Sequence, residues 1–305
     1  MKYIAYIFTT AFLRLLALLP PRLLYIFSDI LFVLLFYIAG YRKKVVTKNL
    51  SASFPGKSPE ELKHTRRKFY RHLADVIIEN AVIQYYSKRR LEKMFTFRNP
   101  EMIREYYERG RDIILVTGHY NNWEWSAPLA YTFKYKIIVV YMPLRNKYFD
   151  REVMRARTKY GAEVVPMGNV ARILFKYKQE GVPTLTGMAA DQRPIRKHVQ
   201  FWTRFLNQET AVFTGSEKLA RKMNAVMLFL NVTRVGRGKY SAETTLVSDN
   251  PNDIPHNELT KAHTHLLEEE ILSDPVNWLW SHDRWKISYE RWLELKERDK
   301  KEGKG

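Results

Sequence analysis

The chain has 305 residues, no cysteine, 46% apolar or aromatic residues and a formal net charge of +19. That composition suffices for a sizeable core and excludes a disordered chain, and the missing thiols exclude disulfides, thiolate zinc sites and cysteine nucleophiles. The charge favours an anionic partner (nucleic acid, anionic lipid headgroups or an acidic protein), with a merely solvated basic surface as the alternative.

Residues 3–19 are almost wholly apolar, broken by Arg14 and stopped by Pro20 and Pro21. A second apolar stretch fills 23–39, with Ser28 and Asp29 inside it. Each stretch is about 17 residues, the short edge of what crosses a hydrocarbon core. A cleaved signal peptide is disfavoured, because the first run is long, lacks a small-x-small site and is followed by another apolar run. The expectation is an uncleaved anchor over residues 1–41. The first segment spans or embeds; the second, with a carboxylate that is costly in mid-bilayer, lies in the interface or packs on the body of the protein. A buried helical hairpin is the alternative. Arg42, Lys43 and Lys44 follow, which places the rest of the chain on the cytoplasmic side.

Residues 59–86 are predicted as a long helix, capped by Ser58, with Pro59 at its first position and Glu61 three residues after the cap. From about residue 99 the pattern alternates. A helix over 100–109 ends at Gly110, and the β-branched run 112–118 reads as a strand. A helix from Asn121, a strand at 136–142, a helix over 146–159 and a strand at 162–167 follow. Another helix, a strand through 182–190, a helix over 210–223 and two strands from 225 and 240 complete the series. Such alternation with continuously apolar strands predicts an α/β fold: a mostly parallel sheet flanked by helices, preceded by the membrane-associated helices. The catalytic body is expected over 42–298, with the Lys-rich 299–305 as a solvated tail. Sites in such sheets form where strands end, which directs attention to the residues just after 112–117 and just after 182–190.

The first of these positions reads Gly118-His119-Tyr120-Asn121-Asn122-Trp123-Glu124. A carboxylate at Glu124, in the first turn of the next helix, could accept a hydrogen bond from one imidazole nitrogen of His119 and leave the other as a base. The competing explanation is a capping box, with Asn121 as the cap, Glu124 its partner and His119 a loop histidine. Arg157 is either a bidentate phosphate ligand or part of a solvated helix face. Asp191, after the later strand, either orients an arginine or a sugar hydroxyl or is a turn residue. Trp278, Trp280 and Trp285 read as core or interface aromatics, and His282 and Arg284 as structural. His263 and His265 lie on different helix faces, so no metal site is expected.

Four ordered blocks carry a family resemblance. GHYNNWE resembles the G-H-x-x-N-W-E block of the late acyltransferases of lipid A biosynthesis. YMPLRN at 141–146 with Arg157 and Gly161, ADQ at 190–192 with 205–220, and PVNWLWSHDRWK at 275–286 resemble the family's further blocks. RKKVVTKNLSASFP resembles the region after its membrane segment, so the likeness covers nearly the whole chain. The resemblance implies a glycerolipid acyltransferase-like fold. It implies transfer of a fatty acyl chain from an acyl thioester, on an acyl carrier protein or coenzyme A, to a hydroxyl of a lipid A precursor. It also implies a location at the cytoplasmic face of a bacterial inner membrane and no cofactor. His119 would be the general base, Glu124 its partner, and Arg157, Asp191, Asn122 and Arg145 substrate-binding residues. Leu144-Arg145-Asn146 departs from the family's R-P-L-x-N, so its arginine is displaced. The expected partners are an acidic acyl carrier protein, anionic membrane lipids and the glycolipid acceptor, all suited to the charge. Two alternatives stand beside this: another acceptor (a lysophospholipid, an aminolipid or a mannosylated phosphoinositide) and a non-enzymatic basic membrane-surface protein. No nucleic-acid module is recognisable.

Overall fold

The computed structural model describes residues 2–126, 129–143, 147–195 and 199–301. Two apolar helices lead, α1 (Lys2–Leu18) and α2 (Pro21–Val33), the second prolonged by a wider π turn at Leu34–Ile38. Next come α3 (Lys43–Ser53) and α4 (Pro59–Val82). At the start of α4 the Ser58 hydroxyl accepts the Glu61 N–H while the Glu61 carboxylate accepts the Ser58 N–H, so the expected capping box is formed.

The rest of the chain builds the sheet. In order come α5 (Lys88–Glu92), β1 (Phe95–Phe97), α6 (Pro100–Glu108), β2 (Ile113–Thr117), α7 (Leu129–Thr132) and β3 (Lys136–Tyr141). Then α8 (Lys147–Thr158), β4 (Glu163–Pro166), α9 (Val170–Gln179), β5 (Thr184–Ala189), β6 (Phe201–Phe205) and β7 (Gln208–Val212). The last are α10 (Gly215–Met223), β8 (Val226–Gly236), β9 (Lys239–Ser248), α11 (Glu258–Ser273) and α12 (Tyr289–Lys301).

Seven strands form one sheet in the order β1-β9-β8-β2-β5-β3-β4. All neighbours are parallel except the β8–β9 hairpin. The fold is thus α/β with a mostly parallel sheet flanked by helices. Along β2, Ile113 and Leu115 face one core while Ile114 and Val116 face another, which is why this strand reads as a continuous apolar run.

Three elements depart from their expectation. The helix expected over 210–223 is a hairpin strand followed by a shorter helix: Phe201↔Val212 and Phe205↔Gln208 pair β6 with β7 before α10 begins. No regular α-helix starts at Asn121; a 3-10 turn at Trp123–Ser126 stands there. The expected tail begins inside α12, and residues 302–305 lie outside the described residues.

The second apolar helix packs on the body. Its Ser28 donates to Asp75 of α4 at 2.6 Å, and Asp29 pairs with Arg237 at 2.8 Å and Arg71 at 3.4 Å. Asp29 is therefore neutralised by the protein. Leu16, Ala17 and Leu24 also join the core that includes Ile113 and Leu115. Pro21–Ile38 is long and apolar enough to cross a membrane, by length and composition only. The outer faces expose Phe8, Phe12, Leu15, Ile26, Ile30 and Ile38.

Candidate functional site

Sheet register builds the centre of the site. β2 and β5 are adjacent parallel strands, with Thr117 opposite Ala189. Two residues further along each chain lie His119 and Asp191, so residues 72 apart in sequence leave the same sheet edge side by side. A Cβ at Gly118 would sit 2.5 Å from a side-chain methyl of Leu267 of α11, so that leucine packs directly on the backbone here.

Asp191 Oδ1 lies 2.6 Å from His119 Nδ1. Its Oδ2 accepts the His119 backbone N–H at 3.0 Å and the Trp278 indole N–H at 2.8 Å. Burial by itself would raise the carboxyl pKa. The His119 charge and the hydrogen bonds from His119 and Trp278 outweigh it and hold Asp191 well below the usual carboxylate range. An ionised Asp191 holds the proton on Nδ1, so in the neutral form of the ring Nε2 carries the lone pair. That nitrogen lies 3.1 Å from the Gln192 amide nitrogen, which can donate to it. Trp123 packs edge-on against the imidazole, with ring centroids 4.7 Å apart.

The C-terminal block completes the frame. Tyr120 and Trp278 form an antiparallel bridge, Asn121 N–H donates to Asn277 O, and Leu279 N–H donates to His119 O. Trp278 and Trp280 are core residues, as their spacing suggested, with ring centroids 4.7 Å apart. Trp278 also holds Asp191, a role that the sequence did not signal, because 87 residues separate the two. His282 accepts the Arg193 N–H, and burial lowers its pKa to about 4. Arg284 is buried and donates to Ala211 O.

The hydrogen bond expected between His119 and Glu124 is not made. Both carboxylate oxygens of Glu124 engage Arg157, with Nε at 3.0 Å from Oε2 and the second contact from Nη2 to Oε1. The reason is local. Asn121 has a left-handed φ of 52°, and the Asn122 side-chain oxygen accepts the Glu124 N–H at 3.2 Å. The chain then tightens into the Trp123–Ser126 turn, which presents Trp123 to the imidazole and Glu124 to α8. The same geometry removes the Asn121–Glu124 capping box. Arg157 belongs to this pair and not to a solvated helix face, since only 18% of its side chain is exposed. Asn122 is fully buried, its amide donating to Glu79 at 2.8 Å, so it braces the loop and offers no surface to a substrate. Asp191 makes its hydrogen bonds with His119 and Trp278. Arg145 lies outside the described residues.

Beside these groups opens a cavity of about 990 Å³. Its walls come from α1 (Leu13), α4 (Leu73, Val76, Ile77), α8 (Val153) and the loop Leu279–His282, and Trp123 and Glu124 form part of its lining. The volume lies at the upper end of the roughly 300–1,000 Å³ usual for small-molecule sites, and the lining is mostly apolar. Arg42, whose guanidinium donates to Ser281 O at 2.9 Å, adds a cation to this wall.

The family model for bacterial lipid A biosynthesis acyltransferases matches residues 1–287. A lipid A biosynthesis palmitoleoyltransferase of Escherichia coli (strain K12) is 24% identical over 248 residues, covering 80% of this chain and 79% of its own length. A lipid A biosynthesis acyltransferase of Shigella flexneri matches to the same extent. The chain belongs to the bacterial lipid A biosynthesis acyltransferase family, and it is an acyltransferase.

Proposed function

We propose that this acyltransferase moves a fatty acyl chain from an acyl carrier protein thioester to a hydroxyl of a lipid A precursor, with His119 as general base. The observation that carries the reading is His119, locked by buried Asp191 in the tautomer that frees Nε2, beside a mostly apolar cavity of about 990 Å³.

The acceptor hydroxyl would displace the Gln192 amide and give its proton to Nε2. The oxygen then forms a bond to the thioester carbonyl carbon. The carbon–sulfur bond breaks, and the imidazolium returns the proton to the departing thiolate, giving an ester and a free thiol. A thioester is already activated, so no enzyme nucleophile is needed. Asp191 stabilises the imidazolium during this cycle and keeps its ring in place. Arg157 uses two donors on Glu124 and has three further N–H groups for a phosphate of acceptor or donor. The +19 charge suits both an acidic carrier protein and a phosphorylated lipid. The exposed apolar faces of α1 and α2, followed by Arg42, Lys43 and Lys44, support attachment to the cytoplasmic face of the inner membrane.

The test is direct. Purified full-length enzyme is given defined acyl carrier protein thioesters and a panel of lipid acceptors that includes a lipid A precursor and lysophospholipids. Mass spectrometry reads the products. Transfer to the lipid A precursor is expected, and His119→Ala should lower it by about 10²–10⁴-fold with an unchanged melting temperature. Activity near the wild-type level in that variant would overturn the mechanism; acylation of another lipid alone would overturn the acceptor.

A further inference from the structure

We propose that Glu79 is a positioning residue through which the seating of α2 orders the turn that carries Trp123 and Glu124. The inference rests on the reading above only in that this turn borders the reaction site.

Glu79 lies on α4, 1% exposed, and its carboxylate gathers donors from three separate elements. The Tyr25 hydroxyl of α2 donates to Oε1 at 2.7 Å. The Tyr240 hydroxyl of β9 and the Asn122 amide donate to Oε2 at 2.7 and 2.8 Å. The other end of the Asn122 side chain accepts the Glu124 N–H. A continuous path therefore runs from Tyr25 through Glu79 and Asn122 to the backbone of the turn that holds Trp123 on the imidazole.

Two features make this more than a buried polar contact. Burial raises the Glu79 pKa, and the three hydrogen bonds act against that rise by favouring the ionised, acceptor-only form, which can face all three donors at once; a glutamine would turn an NH₂ group toward at least one of them. The approach of Tyr25 is also cleared by the chain. Gly238, at the β8–β9 turn with φ +73°, would place a Cβ 2.1 Å from the Tyr25 hydroxyl. Arg237 lies over the Tyr25 ring at 4.3 Å and pairs with Asp29 one helical turn further on. Tyr25, placed by these neighbours, carries the contact of α2 with Glu79, while the opposite face of the same helix exposes Ile26, Ile30 and Val33. Any shift in the seat of α2 moves the Tyr25 hydroxyl relative to Glu79. The shift reaches the turn because a buried carboxylate that loses a donor must rearrange to recover one.

The experiment uses the full chain and two readouts. Hydrogen exchange of the segment 121–126 is compared with that of β2 in wild type and Tyr25→Phe. Exchange in 121–126 should rise about tenfold while β2 stays unchanged, as expected for weakening a single charge-assisted hydrogen bond. Equal exchange in both proteins, or a uniform rise across the sheet, would overturn the proposal. The exchange result does not depend on knowing the substrate, so its failure is separate from failure of the acyl-transfer reading. In turnover, Tyr25→Phe should lower kcat about tenfold with KM for the thioester nearly constant. In an Asn122→Ala background the same change should have no further effect; an undiminished loss there would overturn the path. Should Tyr25→Phe fold poorly, Glu79→Gln provides the same comparison from the centre of the path, with the same local rise in exchange expected and unchanged exchange counting against it.

Discussion

His119 is bordered by two carboxylates held in very different ways. Asp191 follows a central strand, is buried, and receives three donors; its position is set by the register of β2 on β5. Glu124 sits on a one-turn 3-10 helix at a cavity wall, and its partner is Arg157 on α8. The carboxylate five residues from the histidine does not touch it, whereas the one 72 residues away does. Sheet register fixes position over long sequence separations, while a short turn lets a side chain follow the nearest opposite charge. Strand ends therefore suit the group that must hold a base to within tenths of an ångström, and the turn suits groups that meet a variable substrate.

The comparison can be broken most sharply at Asp191. Asp191→Asn keeps the shape but removes the charge that fixes the Nδ1 proton, and kcat should fall by about 10²–10⁴-fold. A loss confined to KM would move Asp191 out of the base's frame. On the turn side, Arg157→Ala leaves Glu124 unpaired at the cavity wall. The expected loss in kcat/KM is about 10–100-fold, falling mainly on KM for the phosphorylated acceptor. Steady-state kinetics that showed a pure kcat effect would instead tie the pair to the chemical step. Trp278→Phe removes one of the three donors to Asp191 together with part of a buried ring; kcat should fall about tenfold and stability by about 1–3 kcal/mol.

The smallest expected effect tests the role of donors in burial. Glu270 of α11 is also a buried carboxylate, but its Oε1 meets no donor, and burial raises its pKa to about 8. The folded state therefore holds a proton that the unfolded chain releases above its ordinary value near 4.5. Stability from this group is present at low pH and is lost as pH rises through about 8. Glu270→Gln should stabilise the protein by about 1 kcal/mol at pH 8 and change little near pH 5, read by thermal melts across that range. Melts that shift equally at both pH values would place the effect in packing. Asp191 and Glu270 would then differ for a reason other than their hydrogen-bond donors.

Much of this was legible from local pattern. Ser58-Pro59-Glu61 announced the start of α4, and the β-branched run at 112–118 announced β2. Gly118-His119 and Asp191-Gln192 are legible as strand-end residues, because apolar runs and the residues after them are contiguous in sequence. The hairpin at 201–212, whose last residues fall inside the helix expected over 210–223, is not legible because its turn at Leu206–Asn207 takes positive φ at two non-glycine residues and carries no glycine signal.

The sequence by itself determined the elements, the α/β class and the residues that could serve as base, acid or cation. Those depend on side-chain chemistry and on periodicities of two and 3.6, which are local properties. Only the tertiary structure decided the pairings: His119 with Asp191, Glu124 with Arg157, Trp278 with Asp191, and Tyr25 with Glu79. Each depends on which strands lie side by side and how one loop turns. Strand order and loop path are set by the packing of the whole chain, which no short stretch of it encodes.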